Sequence, residues 1–367
     1  MKATNRVVHL VYSFGCGGLE KVIANLINYS TEYDVEHVLI SLTDDVSMLK
    51  QVDKKIKVHV LDKKSGSDIK IHFKLFYLLK KLKPSVVNTY NFGTIEYHFV
   101  AKFAGVPIRV HCDHGRGGDD PAGKNKLHNM FRKFIANFIT EYIVVSYDLY
   151  QWILNDIKVS RKKLSLLFNG VTVSEKVELS CSSPKTFVTV GRLDKVKNQK
   201  LLINAFAQAV STIDGFEHCI LNIVGDGPLH NELLTQINLL EMQHSIHLLG
   251  FRNDITAILK NSDIFVLSSF YEAMPMTILE AMANKTPVIC TNVGGISQFI
   301  SEEQAWFVES KNCKALANKL NEVRVNDVLR LEKVSGAYNL VNEKYDMKQM
   351  VKAYMVKYGI AEKFNLF

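Results

Sequence analysis

The chain has 367 residues, 47% hydrophobic and 22% charged, the balance of a globular protein with a sizeable core, and at about 150 residues per domain it suggests two domains. No stretch is low-complexity, no run approaches the roughly 18 apolar residues of a membrane span, and the apolar start after Arg6 is too short for a signal peptide; disordered, membrane-spanning and secreted classes are set aside and a cytoplasmic protein is expected. The net charge of +8 is uneven: residues 1–172 carry 25 Lys and Arg against 16 Asp and Glu, the remainder 20 against 21, so the first half is the one suited to an anionic partner.

Short apolar strands alternate with longer amphipathic helices, which predicts parallel α/β architecture. In the first half, strands are expected at 7–12, 36–42, 57–61, 85–89, 108–112, 142–146 and 164–168. Helices are expected at 18–30, 69–82, 94–104, 124–140 and 147–156. Pro84 and Pro107 precede strands, where a helix must already have ended. Asn169-Gly170 is a turn signal, and the polar stretch from Ser174 to Pro184 reads as an interdomain linker. Strands resume at 186–191, 219–224, 245–249, 264–267, 287–290 and 305–308. Helices alternate with them at 198–211, 228–240, 254–260, 277–283, 294–301, 311–322 and 327–343. A final amphipathic helix, 346–358, carries Met350, Tyr354 and Tyr358. The six cysteines are scattered, with no Cys-x-x-Cys pair, and read as buried thiols of a reducing compartment.

The chemistry-bearing segments fall at the ends of these strands. Ser13-Phe14-Gly15-Cys16-Gly17-Gly18-Leu19-Glu20 follows the first strand and opens a helix, the context of a phosphate-binding loop. Glu20 stands where a third glycine would complete a dinucleotide fingerprint, which disfavours NAD; a glycine turn without a ligand is the plainer alternative. The segment His111-Cys112-Asp113-His114-Gly115-Arg116 ends the fifth strand. Read as metal ligands it is weak, because strand positions three apart face opposite ways. His114 is assigned a site role and His111 local packing.

Gly191-Arg192-Leu193-Asp194-Lys195-Val196-Lys197 places two cations around a turn, a fork and a point charge for phosphate. Gly225-Asp226-Gly227-Pro228 is a tight turn. Arg252 is placed near a base, and Asp254 reads as a helix cap. Glu272-Ala273-Met274-Pro275-Met276-Thr277-Ile278-Leu279-Glu280 holds two carboxylates eight apart, about 12 Å at a helical rise. That is a span suited to the two ends of a nucleotide-sugar, with helix N–H groups between them for a diphosphate. Two basic amphipathic stretches, 70–81 and 124–138, fit either ordinary surface helices or an anionic lipid surface.

This ordered series resembles the GT4-like family of retaining GT-B glycosyltransferases, of the kind that assemble bacterial exopolysaccharide and lipopolysaccharide. The matching pieces are Gly17-Gly18-Leu19-Glu20, Asn169-Gly170-Val171, Gly191-Arg192-Leu193 with Lys197, Gly225-Asp226-Gly227-Pro228, and Glu272 to Glu280 followed by Ala281-Met282-Ala283. The resemblance implies two Rossmann-like doubly wound domains facing a deep cleft: an acceptor-side domain, 1–172, and a donor-binding domain, 173–345. The last segment, 346–367, would return to the first domain.

It also implies roles. Glu272 holds donor sugar hydroxyls and Glu280 the ribose. Arg192 and Lys197 neutralise the diphosphate, and Gly17 and Gly18 admit it. Met274, Pro275, Met276 and Thr277 line sugar and phosphates, and His114 sits at the sugar-binding face of the first domain. Ala273 stands where the family often has glycine, which bears on the choice of sugar.

The expected reaction moves a hexose-type sugar from a nucleotide-sugar, UDP- or GDP-linked, to a glycan or lipid-linked acceptor, with retention, no metal and no cofactor. A peripheral position on the inner membrane face is allowed for, and no nucleic-acid partner is expected. The competing readings are a nucleotide-sugar epimerase and a non-enzymatic lipid- or nucleic-acid-binding protein.

Overall fold

A computed structural model describes residues 5–66, 68–117, 120, 122–173 and 184–362. The expected linker, from Ser174 to Pro184, lies outside the described residues except for Pro184. The chain divides into two compact units, Met1–Gly170 with Met347–Phe367, and Val171–Asp346.

The first unit is built on seven parallel strands: β1 (Asn5–Val11), β2 (Val35–Ser41), β3 (Lys57–Val60), β4 (Val86–Tyr90), β5 (Ile108–Asp113), β6 (Glu141–Val144) and β7 (Leu164–Leu166). Their order is β3-β2-β1-β4-β5-β6-β7. The inner strands are buried over most of their length, His9, Asn88, Thr89 and His111 included, because a parallel sheet is covered on both faces. The connecting helices are α1 (Gly18–Asn28), α2 (Ile69–Leu82), α3 (Tyr97–Phe103), α4 (Lys126–Ile135) and α5 (Tyr147–Trp152).

Local signals set α2. Asp68 caps its start by accepting from the Lys70 N–H, and Lys83 ends it at φ +47. Pro84 forbids continuation. Ile71, Leu75, Leu79 and Leu82 put one face into the core with Val8, Leu10, Val38 and Ile40.

The second unit has β8 (Thr186–Val190), β9 (Ile220–Val224), β10 (Ile246–Gly250), β11 (Ile264–Leu267), β12 (Val288–Thr291) and β13 (Trp306–Val308). They are ordered β10-β9-β8-β11-β12-β13. Its helices are α6 (Gln199–Thr212), α7 (His230–Leu239), α8 (Ile255–Lys260), α9 (Met276–Ala283), α10 (Cys313–Val325) and α11 (Asp327–Lys344). A triad of rings, Phe187, Phe206 and Phe216, with centroids 5.4–5.7 Å apart, anchors its core. Both sheets thus repeat one doubly wound order, in which the sense of winding reverses between the first strand and the fourth.

The last helix, α12 (Met347–Lys357), belongs to the first unit. Just beyond it, the Tyr358 hydroxyl accepts from Asn88 Nδ2 at 2.6 Å. Lys357 pairs with Glu141 at 2.9 Å.

Several expected elements differ. The helix expected at 294–301 is only a 3-10 turn, Ile296–Gln298, because Gly294 takes φ +57 and Gly295 donates to the Glu272 carbonyl at 2.8 Å. The helix expected at 124–140 stops at Ile135 and tightens into a 3-10 turn, Ala136–Phe138. The one expected at 94–104 is split into a turn, Phe92–Thr94, and α3. Cys112, Cys219 and Cys290 are buried as free thiols, but Cys16 is exposed and Cys313 half-buried, since they lie in a loop and at a helix start. Cys181 lies outside the described residues.

Candidate active site

In the second unit the polar side chains gather at the carboxyl ends of β8 and β11, where the strand order reverses. An open parallel sheet offers its crevice at this point. Lys197, in the loop after β8, reaches Glu272, in the loop after β11, with Nζ 2.6 Å from Oε1. The Ser269 hydroxyl donates to the same oxygen at 2.6 Å. Glu272 is 9% exposed. Both of its side-chain bonds fall on Oε1, so Oε2 stands ready to accept from a ligand hydroxyl.

The loops around this pair are held by hydrogen bonds to backbone groups. Asp194 Oδ1 accepts from the N–H groups of Val196 and Lys197 at 3.0 and 3.1 Å, which curls the β8 loop. The Ser268 hydroxyl reaches the carbonyls of Lys197 and Asn198 at 3.1 Å each. The Phe270 N–H donates to the Val196 carbonyl at 2.7 Å.

Glycines permit the closest approaches. A Cβ on Gly225 would overlap the Gly191 carbonyl, and one on Gly227 the Leu193 backbone. Here the Leu193 N–H donates to the Asp226 carbonyl at 3.0 Å. A Cβ on Gly294 would overlap the Glu272 carbonyl oxygen. Four strand-end loops are therefore stitched to one another around Lys197 and Glu272.

Helix α9 begins at Met276, three residues beyond Ala273. Pro275 is its N-cap residue and no side chain caps it. Its first N–H groups, with the partial positive charge of the helix start, form an anion-binding end. Met274, Pro275 and Met276 are buried and Thr277 half-buried, with the Thr277 hydroxyl among the buried side-chain atoms lacking a partner. Only residues 276–280 of the nine-residue Glu272–Glu280 segment are helical. The 12 Å expected from a helical rise therefore does not apply. Glu280 lies in the second turn of α9, half-buried.

Two expected cations behave differently from Lys197. The Arg192 side chain is 68% exposed, with Nε 4.0 Å from Asp194. Arg252 is turned onto Asp254, at 2.9 and 2.6 Å through Nε and Nη2, a bidentate charge-assisted pair. Asp254 consequently makes no side-chain cap to α8, contrary to expectation.

In the first unit, β5 delivers the sequence Asp113-His114. Asp113 is fully buried and accepts from Arg132 Nη1 and the Tyr142 hydroxyl at 2.6 Å each. Burial by itself would raise its pKa; Arg132, then His111 and Tyr142, hold it well below the ordinary carboxylate range. His111 is fully buried, bonded to Thr89 at 2.7 Å and 3.4 Å from Asp113.

His114 follows the strand, and its backbone N–H donates to Asn91 Oδ1 at 2.8 Å. Burial pushes its pKa down to about 4, with Asp113 opposing and His111 adding. It is therefore a neutral ring at neutral pH. Its Nε2 is among the buried atoms without a partner. Arg132, expected among the outer basic residues of an amphipathic stretch, is instead 1% exposed. It also donates to the Arg116 carbonyl at 3.1 Å.

At the β1 end, Gly17 is the extended N-cap of α1 and Gly18 its first residue. The Glu20 carboxylate lies where a Cβ on Gly17 would fall, so this helix start already faces a negative charge of its own chain. Among the described residues, no three His, Cys, Asp or Glu side chains come together as a metal-binding group.

Sequence reasoning missed three participants. Ser269 was visible only as part of a polar turn. Gly294-Gly295 was read as a helix start, although a Gly-Gly pair after a strand is a turn signal. The Asp113–Arg132 pair carried no signal of its own, because its members are 19 positions apart.

Comparison with known proteins bears on family and fold. Residues 16–175 match the model of glycosyltransferase family 4, and residues 173–338 that of glycosyl transferases group 1. A UDP-Gal:alpha-D-GlcNAc-diphosphoundecaprenol alpha-1,3-galactosyltransferase of Escherichia coli is 30% identical over 309 residues, 77% of this chain and 79% of that protein. A Campylobacter jejuni N-acetylgalactosamine-N,N'-diacetylbacillosaminyl-diphospho-undecaprenol 4-alpha-N-acetylgalactosaminyltransferase is 26% identical over 87% of this chain and 90% of its own length. Among solved structures, Anabaena HepE in complex with UDP and glucose superposes with a TM-score of 0.82 at 17% identity, covering 97% of this chain and 99% of that one. Staphylococcus aureus TarM superposes at 0.80 with 14% identity, over 97% and 99%. With two parallel-sheet units of one strand order and both family models matched in sequence, the chain is a GT-B glycosyltransferase belonging to the GT4 family.

Proposed function

We propose that this glycosyltransferase moves a hexose-type sugar from a UDP- or GDP-sugar to a lipid-linked glycan in bacterial cell-surface polysaccharide synthesis, with retention and without a metal. The observation that carries the reading is Glu272 held through one oxygen by Lys197 and Ser269, beside the uncapped start of α9. Breaking the sugar–phosphate bond develops negative charge on the leaving diphosphate. A fixed ammonium and helix N–H groups stabilise that charge as it forms, without reorganisation. Lys197 and Arg192 are assigned to the diphosphate, with Met274, Pro275, Met276 and Thr277 around it.

Glu272 Oε2 is assigned to a sugar hydroxyl and Glu280 to the ribose. His114, neutral with a free Nε2, is assigned to a sugar hydroxyl by hydrogen bond rather than by charge. Gly17 and Gly18 carry the diphosphate only once the Glu20 carboxylate has moved aside. Arg252 contributes to a base once it leaves Asp254. The names of the Escherichia coli and Campylobacter relatives, both of which specify diphosphoundecaprenol-linked acceptors, support the lipid-linked acceptor.

The test is a thermal-shift panel of UDP-, GDP-, ADP- and CMP-sugars, each with and without EDTA. A ligand binding only the folded state at 100 times its Kd stabilises by about 2.7 kcal/mol. Glu272→Gln should keep the nucleotide's own shift and lose roughly 100-fold in transfer rate. No shift with any nucleotide-sugar overturns the donor assignment, and a shift or rate abolished by EDTA overturns metal independence.

A further inference from the structure

Asn91, the residue after β4, holds a backbone conformation that ordinary residues avoid. Its φ is +55 and its ψ 178. Lys83, Lys158 and Asn198 also have positive φ, but with ψ of 54, 42 and 41 they sit in the left-handed helical well. Asn91 sits outside that well, in a region that is otherwise glycine's. Such a conformation persists where the side chain supplies something that a glycine could not.

What the Asn91 side chain supplies is a missing rung of the sheet. Its backbone N–H donates to the Cys112 carbonyl at 2.9 Å, continuing the β4–β5 ladder. In a regular parallel pair, the residue making that bond would next accept from the His114 N–H through its own backbone carbonyl. The positive φ turns this carbonyl away, and it accepts from the Thr94 N–H at 3.3 Å instead. Asn91 Oδ1 takes its place and accepts from the His114 N–H at 2.8 Å.

Two demands meet at this residue. The chain must leave the sheet after Tyr90, entering the Phe92–Thr94 turn, and His114 on the neighbouring strand must still be held. Glycine would meet the first demand alone. Asp113, before His114, is anchored through its carboxylate, and Arg116, after it, through its carbonyl, both by Arg132. Between those anchors, the Asn91 bond fixes the His114 backbone, and with it the imidazole whose buried Nε2 lacks a partner.

We propose that Asn91 is a positioning residue for the transfer reaction: its side-chain amide completes the β4–β5 ladder at His114 and so sets where the imidazole stands. The inference rests on the assignment of His114 to a sugar hydroxyl made above. Asn91→Gly removes the tether while accepting the backbone conformation. The lost bond and glycine's chain entropy oppose the relief of strain, so the melting temperature should stay near that of the unmodified chain. Amide exchange at His114 should lose its protection, while exchange in β8 should not change. Release of nucleotide diphosphate from UDP- and GDP-sugars should fall about tenfold to a hundredfold in kcat. The donor KM, and the thermal shift given by UDP or GDP alone, should not move. Asn91→Asp keeps the acceptor oxygen and tolerates positive φ, and should keep most of the rate. In a His114→Ala background, Asn91→Gly should have no further effect, because it acts through that ring.

No release by the unmodified chain, or full release by His114→Ala, removes the reading on which this rests and the inference with it. Full release by Asn91→Gly while His114→Ala is impaired removes the inference alone. So does an Asn91→Gly chain that fails to fold or melts early in proportion to its lost rate, since Asn91 would then serve the fold and not the ring. An Asn91→Asp variant as slow as Asn91→Gly overturns it as well.

Discussion

The two units share a strand order but hold their strand-end loops by opposite means. In the second unit, backbone presses on backbone: Gly225 lies on Gly191, Gly227 on Leu193 and Gly294 on Glu272. In the first unit, buried ionisable side chains do the work. Asp113 is clasped by Arg132 and Tyr142, and His9 bridges Tyr90 and His37 at 2.7 and 2.9 Å. His37 continues to Ser30 at 2.8 Å. One architecture thus supports a site fixed by shape and a scaffold fixed by charge and hydrogen bonds. The first should be intolerant of added atoms and indifferent to mild acid. The second should tolerate atoms better than it tolerates lost partners or protons.

The largest effect should come from removing one partner of the buried charge pair. Arg132→Met leaves Asp113 ionised and uncompensated, and should cost about 3–5 kcal/mol. Chemical denaturation followed by hydrogen exchange should localise the loss to the first unit. Replacing both partners, Arg132→Met with Asp113→Leu, should recover part of it, since a paired apolar replacement leaves no stranded charge. Equal losses in both units would break the contrast.

The matching test in the second unit adds a single methyl group. Gly294 sits at φ +57 with its Cβ direction blocked by the Glu272 carbonyl. Gly294→Ala must therefore move the backbone of the proposed sugar-binding residue. Backbone strain of this kind costs about 1–3 kcal/mol before any displacement. Stability and transfer rate should fall together, with the nucleotide shift reduced. A variant of native stability and activity would show that the loop is not held by shape.

Acid should separate the units. His9, His37, His98, His111 and His114 all have depressed pKa values, burial being the largest cause in each, with His37 and His114 pushed down to about 4. Between about pH 6.5 and pH 4 the unfolded chain binds protons that the folded chain refuses, so stability falls as pH falls. The contribution is complete above about pH 6.5, and each pKa unit of depression is worth about 1.4 kcal/mol. The histidines of the second unit, His218, His230, His244 and His247, are not buried. Hydrogen exchange at pH 7 and pH 5 should therefore show protection lost in the first unit and kept in the second. Parallel losses would contradict it.

The same contrast explains what could be read from the chain beforehand. Strand and helix positions follow from local apolar runs, caps and prolines. Helix α2 falls at 69–82 as expected, because Asp68, the Ile71-Leu75-Leu79 stripe and Pro84 all speak for it. Lys197 and Glu272 could be named by type and by place at strand ends, but not their bond across 75 positions. For α4 the helical period identified which residues share a face and not which face is inside. An ordinary surface helix would place Phe131 and Phe134 in the core and Arg132 outside, by the usual partition of residue types. A buried carboxylate on a different strand reversed it, and nothing local announces such a partner.

The smallest effect tests whether side-chain hydrogen bonding matters at all in the shape-held unit. Ser269 is fully buried and donates to Glu272 Oε1, while its own carbonyl accepts from Thr291 Oγ1 at 2.7 Å. Lys197 already binds that oxygen, so Ser269→Ala leaves the carboxylate paired but free to swing about one contact. A hydrogen bond to a charged group contributes about 1.5–3 kcal/mol, and Lys197 should recover part of it. The expected result is about a tenfold loss in kcat/KM. If Ser269 only aims Oε2 at the sugar, kcat should carry the loss and nucleotide affinity should not move. Ser269→Thr, which keeps the hydroxyl, should restore rate if the added methyl is accommodated. A loss confined to melting temperature would reduce Ser269 to a packing residue. It would leave Lys197 as the one side chain that sets the angle of Glu272.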